Sequence, residues 1–158
     1  MTISIAPAEP CDAVEIARVI NAAYRVEDFF KFGDRTNARD VAELLLRETF
    51  LLARDADGDI AGVVRVHTSG ERGHFGMLSV APAHQGTGLG RALVKAAEEF
   101  ARERGCTVMD LEVASPRTEL PPFYHKLGYA ESGTGEWPAE ALHELRSPAH
   151  FIIMSRPL

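Results

Sequence analysis

Cysteine is scarce: only Cys11 and Cys106 occur in 158 residues, far apart and without metal-ligand spacing. That usage excludes a disulfide scaffold, gives no reason to expect a metal, and fits a reduced, cytoplasmic protein. Basic blocks are also missing. A net charge of −6 without a Lys/Arg run counts against nucleic acid as the main ligand. It does not count against an anionic cofactor, which backbone donors can hold. No apolar run reaches membrane-spanning length, and the N-terminus lacks the basic-then-apolar pattern of a signal peptide, so no membrane partner is expected. Repeats and low-complexity tracts are absent. What is present is ordinary for a globular chain, with 46% apolar and 25% charged residues. One domain over residues 1–158 is expected, large enough to bury a core.

The most informative stretch is Val80-Ala81-Pro82-Ala83-His84-Gln85-Gly86-Thr87-Gly88-Leu89-Gly90-Arg91. A hydrophobic strand from Phe75 to Ala81 meets Pro82, which has no N–H for a ladder. Glycines follow at every second position, and then Leu89, Leu93, Ala96, Ala97 and Phe100 recur at helical spacing. A helix N-terminus carries unpaired N–H groups and the positive end of a dipole, and glycines let an anion reach them. The stretch therefore suits a phosphate or pyrophosphate. It is not a P-loop, because Arg91 and Ala92 follow Gly90 where Lys and Ser/Thr belong. Nor is it a dinucleotide fingerprint, because G-x-G-x-x-G fails from both Gly86 and Gly88.

The rest of the chain reads as alternating short elements. Ile3 and Ile5 begin a strand. Asp12 is placed to cap a helix with Ala13, Ile16, Ala17, Ile20, Ala23 and Tyr24 on its inner face. Asn37 caps a second helix, with Asp40 three residues on and Val41, Leu44 and Leu45 facing inward. Phe50 to Arg54 and Ile60 to His67 are strands, joined by a turn in which Asp57-Gly58 supplies positive φ. That acidic turn is no calcium loop, since Gly58 is fourth and Val66 stands where a Glu is needed. Gly105 stops the third helix, residues 106–114 form a strand, and Leu120 to Leu127 form a short helix closed by Gly128. Tyr129 to Ser132 form a short strand, and a polar excursion holding Trp137 precedes a closing strand at Phe151 to Met154.

Gln85-Gly86-Thr87-Gly88-Leu89-Gly90 fits Gln/Arg-x-x-Gly-x-Gly/Ala, and after Leu78-Ser79-Val80 it resembles the acyl-CoA-binding segment of the GNAT superfamily of N-acetyltransferases. The resemblance is carried by Leu78 to Phe100 and Leu111 to Tyr129 and is only topological before residue 50. It implies an α/β (α+β) fold with a mixed, mostly antiparallel central sheet flanked by helices. It implies acetyl-CoA as co-substrate, held by Leu78, Ser79, Val80, Gln85, Gly86, Thr87, Gly88, Leu89, Gly90, Arg91, Arg117 and Tyr124. A bulge near Leu78 is implied to splay the neighbouring strands. Arg117 stands where relatives often have an Asn.

Within that resemblance Tyr124, in Phe123-Tyr124-His125-Lys126-Leu127-Gly128, takes the place of the general acid that protonates the departing thiolate. The strand that often supplies a carboxylate base has none, so His74, Glu112 or a water is left for the amine's proton. Phe29, Phe30 and Phe32 are candidates for a substrate lid, or alternatively for core plugs. Glu27, Asp28, Asp34 and Glu136 would favour a cationic amine, or form a solvated rim. The leading expectation is acetylation of a small-molecule amine. The alternatives are a protein or peptide N-acetyltransferase and a non-catalytic acyl-CoA sensor. A homodimer is compatible with all three.

Overall fold

The computed structural model describes residues 3–158. Seven strands form one sheet: β1 (Ser4–Pro7), β2 (Thr49–Arg54), β3 (Ile60–Ser69), β4 (Arg72–Val80), β5 (Val108–Ala114), β6 (Ala130–Glu136) and β7 (His150–Pro157). Their order across the sheet is β1-β2-β3-β4-β5-β7-β6. All neighbours are antiparallel except β4 and β5, which run parallel. Parallel neighbours need a crossover, supplied by α3 (Leu89–Glu103). The remaining helices are α1 (Ala13–Tyr24), α2 (Ala38–Leu45) and α4 (Leu120–Lys126). The element order and the mixed sheet are those the sequence led us to expect.

The apolar runs of β2 and β3 are continuous because both of their faces are covered. On β2, Phe50 and Leu52 pack with Ile16, Ile20 and Val41 on the α1–α2 side. Leu51 and Ala53 point the other way, onto Leu89, Leu93 and Ala97 of α3. One residue on β4 breaks this alternation. Phe75 belongs to the α3 side and Met77 to the α1 side, although residues two apart share a face in a regular strand. The cause is a bulge: β4 spends Gly76 to Ser79 opposite Val63 to Arg65 of β3, and Met77 takes φ +53°.

Three local details differ from the sequence reading. Asp12 does not cap α1 with its side chain; its carboxylate accepts from the Glu9 N–H at 2.8 Å and pairs with Arg54 at 2.8 Å. In the β2–β3 turn only Gly58 has positive φ (+86°), because the Asp55 carboxylate, accepting from Asp57 and Asp59 N–H, sets the turn without strain at Asp57. The last hairpin is also longer than expected, since β6 continues to Glu136. Asn37 does cap α2, accepting from the Asp40 N–H at 2.9 Å.

Candidate active site

The bulge matters because of what happens beside it. β4 and β5 pair only at Arg72/Val108, Gly73/Met109 and His74/Asp110. Asp110 pins this closed end. It accepts two bonds from Arg72, both 2.7 Å, and one from Ser155. Burial alone would raise its pKa, but those donors hold it below the ordinary carboxylate value. Beyond His74 the strands part: β4 follows β3, and β5 follows β7 as far as Ala114/Phe151. The stretch Phe75 to Val80 therefore turns one backbone edge into a wedge-shaped opening. A cavity of about 630 Å³ occupies it, lined by β4 (Leu78, Val80), β5 (Leu111, Glu112), α4 and the glycine loop.

At one end lies the glycine loop. After β4, a single turn over Pro82–His84 leads to Gln85, whose side-chain Nε2 donates back to the Val80 carbonyl at 3.2 Å. Gly86 (φ +77°) and Gly88 (φ +84°) then adopt the left-handed conformation that L side chains rarely adopt. The first helical bond of α3 runs from the Ala92 N–H to the Gly88 carbonyl at 3.1 Å. The Leu89, Gly90 and Arg91 amides come before it, and no side chain caps them. Gln85, Gly86, Gly88, Leu89, Gly90 and Arg91 all line the cavity. Thr87 does not. Its hydroxyl donates to the His84 carbonyl, and it faces a smaller hollow beside Ile3, Ile5 and Ala92.

Ser79 is likewise turned away, buried and donating to the Met77 carbonyl at 3.0 Å. Its side chain supports the bulge, while its neighbours Leu78 and Val80 line the opening.

Tyr124 stands in the wall, on α4, ringed by Phe75, Phe123 and Tyr129 at 5.0–6.1 Å between ring centres. Burial first, and Tyr24 second, push its phenol above the ordinary tyrosine value, so it holds its proton at neutral pH. Pro121 and Pro122 fill the first turn of α4, where a missing N–H costs nothing, and Tyr124 follows as the fifth of its seven residues. Tyr129 is used differently, its hydroxyl donating to buried Glu98 at 2.7 Å.

His74 and Glu112 face each other across the split, Nε2 and Oε1 being 4.0 Å apart, and both line the cavity. Burial, then the charges of His67 and Arg65, bring the His74 pKa down to about 4, so its imidazole is neutral at pH 7. Arg117 lines the cavity too, but its guanidinium is engaged, donating to Glu27 at 2.8 Å and to Glu119 at 3.0 Å. Burial opposes its charge, and the two carboxylates more than offset this.

The three phenylalanines do not line the cavity. Phe30 is a core plug, buried edge-on against Phe29 and Trp137, while Phe29 and Phe32 are 63% and 50% exposed. Phe32 lies under the Arg146 guanidinium. Their segment still roofs the site. Lys31 bridges Leu145, the Phe32 N–H donates to the Glu144 carbonyl at 2.7 Å, and the Arg146 N–H donates to the Phe30 carbonyl at 2.8 Å. The roof thereby brings Tyr24, Glu27, Lys31, Asp34, Arg35, Trp137 and Glu144 into the wall. Sequence reasoning missed Lys31, Arg35 and Arg65 as wall residues. Arg65 had a signal, a lone charge inside the apolar run Val63-Val64-Arg65-Val66.

Comparison with known proteins places this architecture. Residues 15–129 match the model of the acetyltransferase (GNAT) family, so the chain belongs to that family. It is 39% identical over 110 residues to a streptothricin acetyltransferase of Streptomyces lavendulae, covering 67% of this chain and 56% of that protein. The chain thus spans little more than half of that relative's length. Among solved structures it resembles a nourseothricin acetyltransferase (TM-score 0.73, 24% identity, 99% of each chain). It also resembles an acetyltransferase from Salmonella typhimurium solved with its cofactor acetyl-CoA (TM-score 0.77, 21% identity, 100% of this chain and 95% of that one).

Proposed function

We propose that the protein acetylates an amine of a small molecule, using acetyl-CoA bound across the β4–β5 split. The observation that carries this reading is one continuous cavity with unpaired amides at one end, a protonated buried phenol in its wall and a roofed polar chamber beyond. The supporting relatives include proteins named for acetylating streptothricin and nourseothricin.

The amides of Gly86 to Arg91 receive the pyrophosphate, helped by the α3 dipole, while the Gln85 N–H is spent on the Pro82 carbonyl. Leu78 and Val80 present the β4 edge that faces away from β3 to the pantetheine arm, with the Val80 carbonyl already held by the Gln85 side chain, and the thioester lies beside Tyr124. A neutral amine attacks the thioester carbonyl carbon, forming a C–N bond and a tetrahedral oxyanion. A backbone N–H of the β4 bulge stabilises that oxyanion. The amine's proton leaves toward Glu112, whose exposed carboxylate can pass it to solvent, while the neutral His74 imidazole stands 4.0 Å away. The C–S bond then breaks, and the CoA thiolate takes the Tyr124 proton.

Acetyl-CoA should raise the melting temperature, because it binds the folded state alone. Gly90 gives the cleanest control. A Cβ there meets only Phe123 and Val80 at an ordinary 3.8 Å, whereas Gly86 and Gly88 would be strained by any side chain. Gly90→Leu should therefore keep the apo melting temperature within a few degrees, abolish the acetyl-CoA shift and abolish thiol release with an amine panel. An undiminished shift in this variant would put the cofactor elsewhere.

A further inference from the structure

Three buried polar side-chain atoms among the described residues have no hydrogen-bond partner: Arg65 Nε, His74 Nδ1 and Trp137 Nε1. All three residues line the cavity of the β4–β5 split. Buried polar groups are normally satisfied, and each exception asks for a missing partner. Arg65 is the most demanding of them, because a guanidinium carries five donors and cannot discharge itself by losing a proton at neutral pH.

Its surroundings in the fold do not satisfy it. The nearest carboxylate, Glu48, is 3.8 Å from Nη1, too far for a hydrogen bond, and lies 3.4 Å from His67 as well. Nη2 lies over the bare backbone of Gly76, where an added Cβ would come within 3.2 Å of it. Burial and the charge of nearby Arg35 both work against the Arg65 charge. Arg35 lines the cavity as well, its guanidinium 5.5 Å from the Tyr24 ring centre, and so does Lys31, which is only 6% exposed. The acidic wall residues are largely engaged. Glu27 is bonded to Arg117, Asp34 to Arg25, and Glu112 faces His74, leaving Glu144.

We infer that Arg65, flanked by Arg35, receives a carboxylate of the acceptor, so that the acetylated amine belongs to an amino-acid-like molecule. This rests on the acetyltransferase reading above and names the substrate class for it. A planar carboxylate matches the guanidinium fork and supplies the acceptors that the fold withholds. The placement is also productive. The point above Gly76 lies 3.2 Å from Arg65 Nη2 and 3.8 Å from the His74 ring, so the anion is held close to the His74–Glu112 pair. The acidic loops suggested a cationic acceptor from sequence alone, but Asp28 and Glu136 are not among the wall residues, and Glu27 and Asp34 are neutralised within the fold.

The test uses the full chain with acetyl-CoA and the proteinogenic amino acids, each beside its α-carboxamide and its decarboxylated amine. Thiol release gives turnover, and titration calorimetry on the CoA-bound protein gives binding. The wild type should favour the carboxylates about 10²-fold in kcat/KM. Arg65→Gln should erase that preference through KM and leave the KM for acetyl-CoA unchanged, and Arg65→Lys should restore part of it. Preference for the carboxamides or decarboxylated amines, or a carboxylate preference unchanged in Arg65→Gln, would overturn the proposal. So would a panel in which no carboxylate is bound or turned over. In that last case the acetyl-CoA melting shift still reports separately on the acetyltransferase reading.

Discussion

Replacing Tyr124 with phenylalanine should lower the single-turnover rate of acetyl transfer by about 10²-fold, the range of a lost general acid. Stability and acetyl-CoA affinity should hardly change, because the change removes one oxygen from a ring held by Phe75, Phe123 and Tyr129. The buried bond to Glu98 belongs to Tyr129 and stays in place. The pH profile sharpens the test. A phenol whose pKa is raised by burial keeps its proton above its ordinary value of about 10, so Tyr124 should contribute no alkaline loss of rate between about pH 6 and 9. The profiles of the two proteins should therefore run parallel in that window. Single-turnover measurement is needed, since slow product release would hide the chemical step. An undiminished rate in the Phe variant would remove Tyr124 from the mechanism.

The largest stability effect should come from Glu98, away from the chemistry. This buried carboxylate on α3 accepts from Tyr129 at 2.7 Å and from Arg156 at 3.1 Å, while Arg156 also donates to the Leu127 carbonyl at 3.1 Å. One side chain thereby joins α3, the end of α4 and β7. Glu98→Ala strands a guanidinium and a buried hydroxyl together, which for a buried pair costs about 3–5 kcal/mol. Arg156 is one-third exposed, so the lower end, about 3 kcal/mol or near 10 °C in Tm, is expected. Removing the whole network with Glu98→Leu, Tyr129→Phe and Arg156→Met should recover much of that loss, because no charge or donor is then left without a partner. A triple variant less stable than the single one would show that the network is worth more than the apolar packing that replaces it.

How much could be read from sequence depended on the range of the interaction. Gly86 and Gly88 were legible because backbone conformation is local: a strand, a proline and alternating glycines leave few alternatives. The strands β2 and β3 were legible from unbroken apolar runs. The caps and turns were less so, since Asp12 and Asp57 each had two local uses for a carboxylate or a backbone, and partners such as Arg54 and Asp55 decided between them. The phenylalanines were the clearest case of a tertiary decision. Phe30 and its neighbours have the same local chemistry, and only the excursion carrying Trp137 determines which of them is covered. Arg65 stood in plain view inside an apolar strand, but its lack of a hydrogen-bond partner is a property of packing. Spacing alone cannot show it.

If the β4–β5 split holds acetyl-CoA and delivers its acetyl group to an amine nitrogen, the label of an acetyl-labelled cofactor must end on that nitrogen. The most direct measurement follows this label by mass spectrometry, with purified protein and an amine panel that includes amino acids. Labelled acetyl should appear as an amide on the amine nitrogen, in equal amount to the CoA thiol released, and both should vanish in Gly90→Leu. Thiol release without an N-acetyl product would make the protein a thioester hydrolase, and label that stays on intact acetyl-CoA bound to the protein would make it a sensor; either result would contradict transfer to an amine.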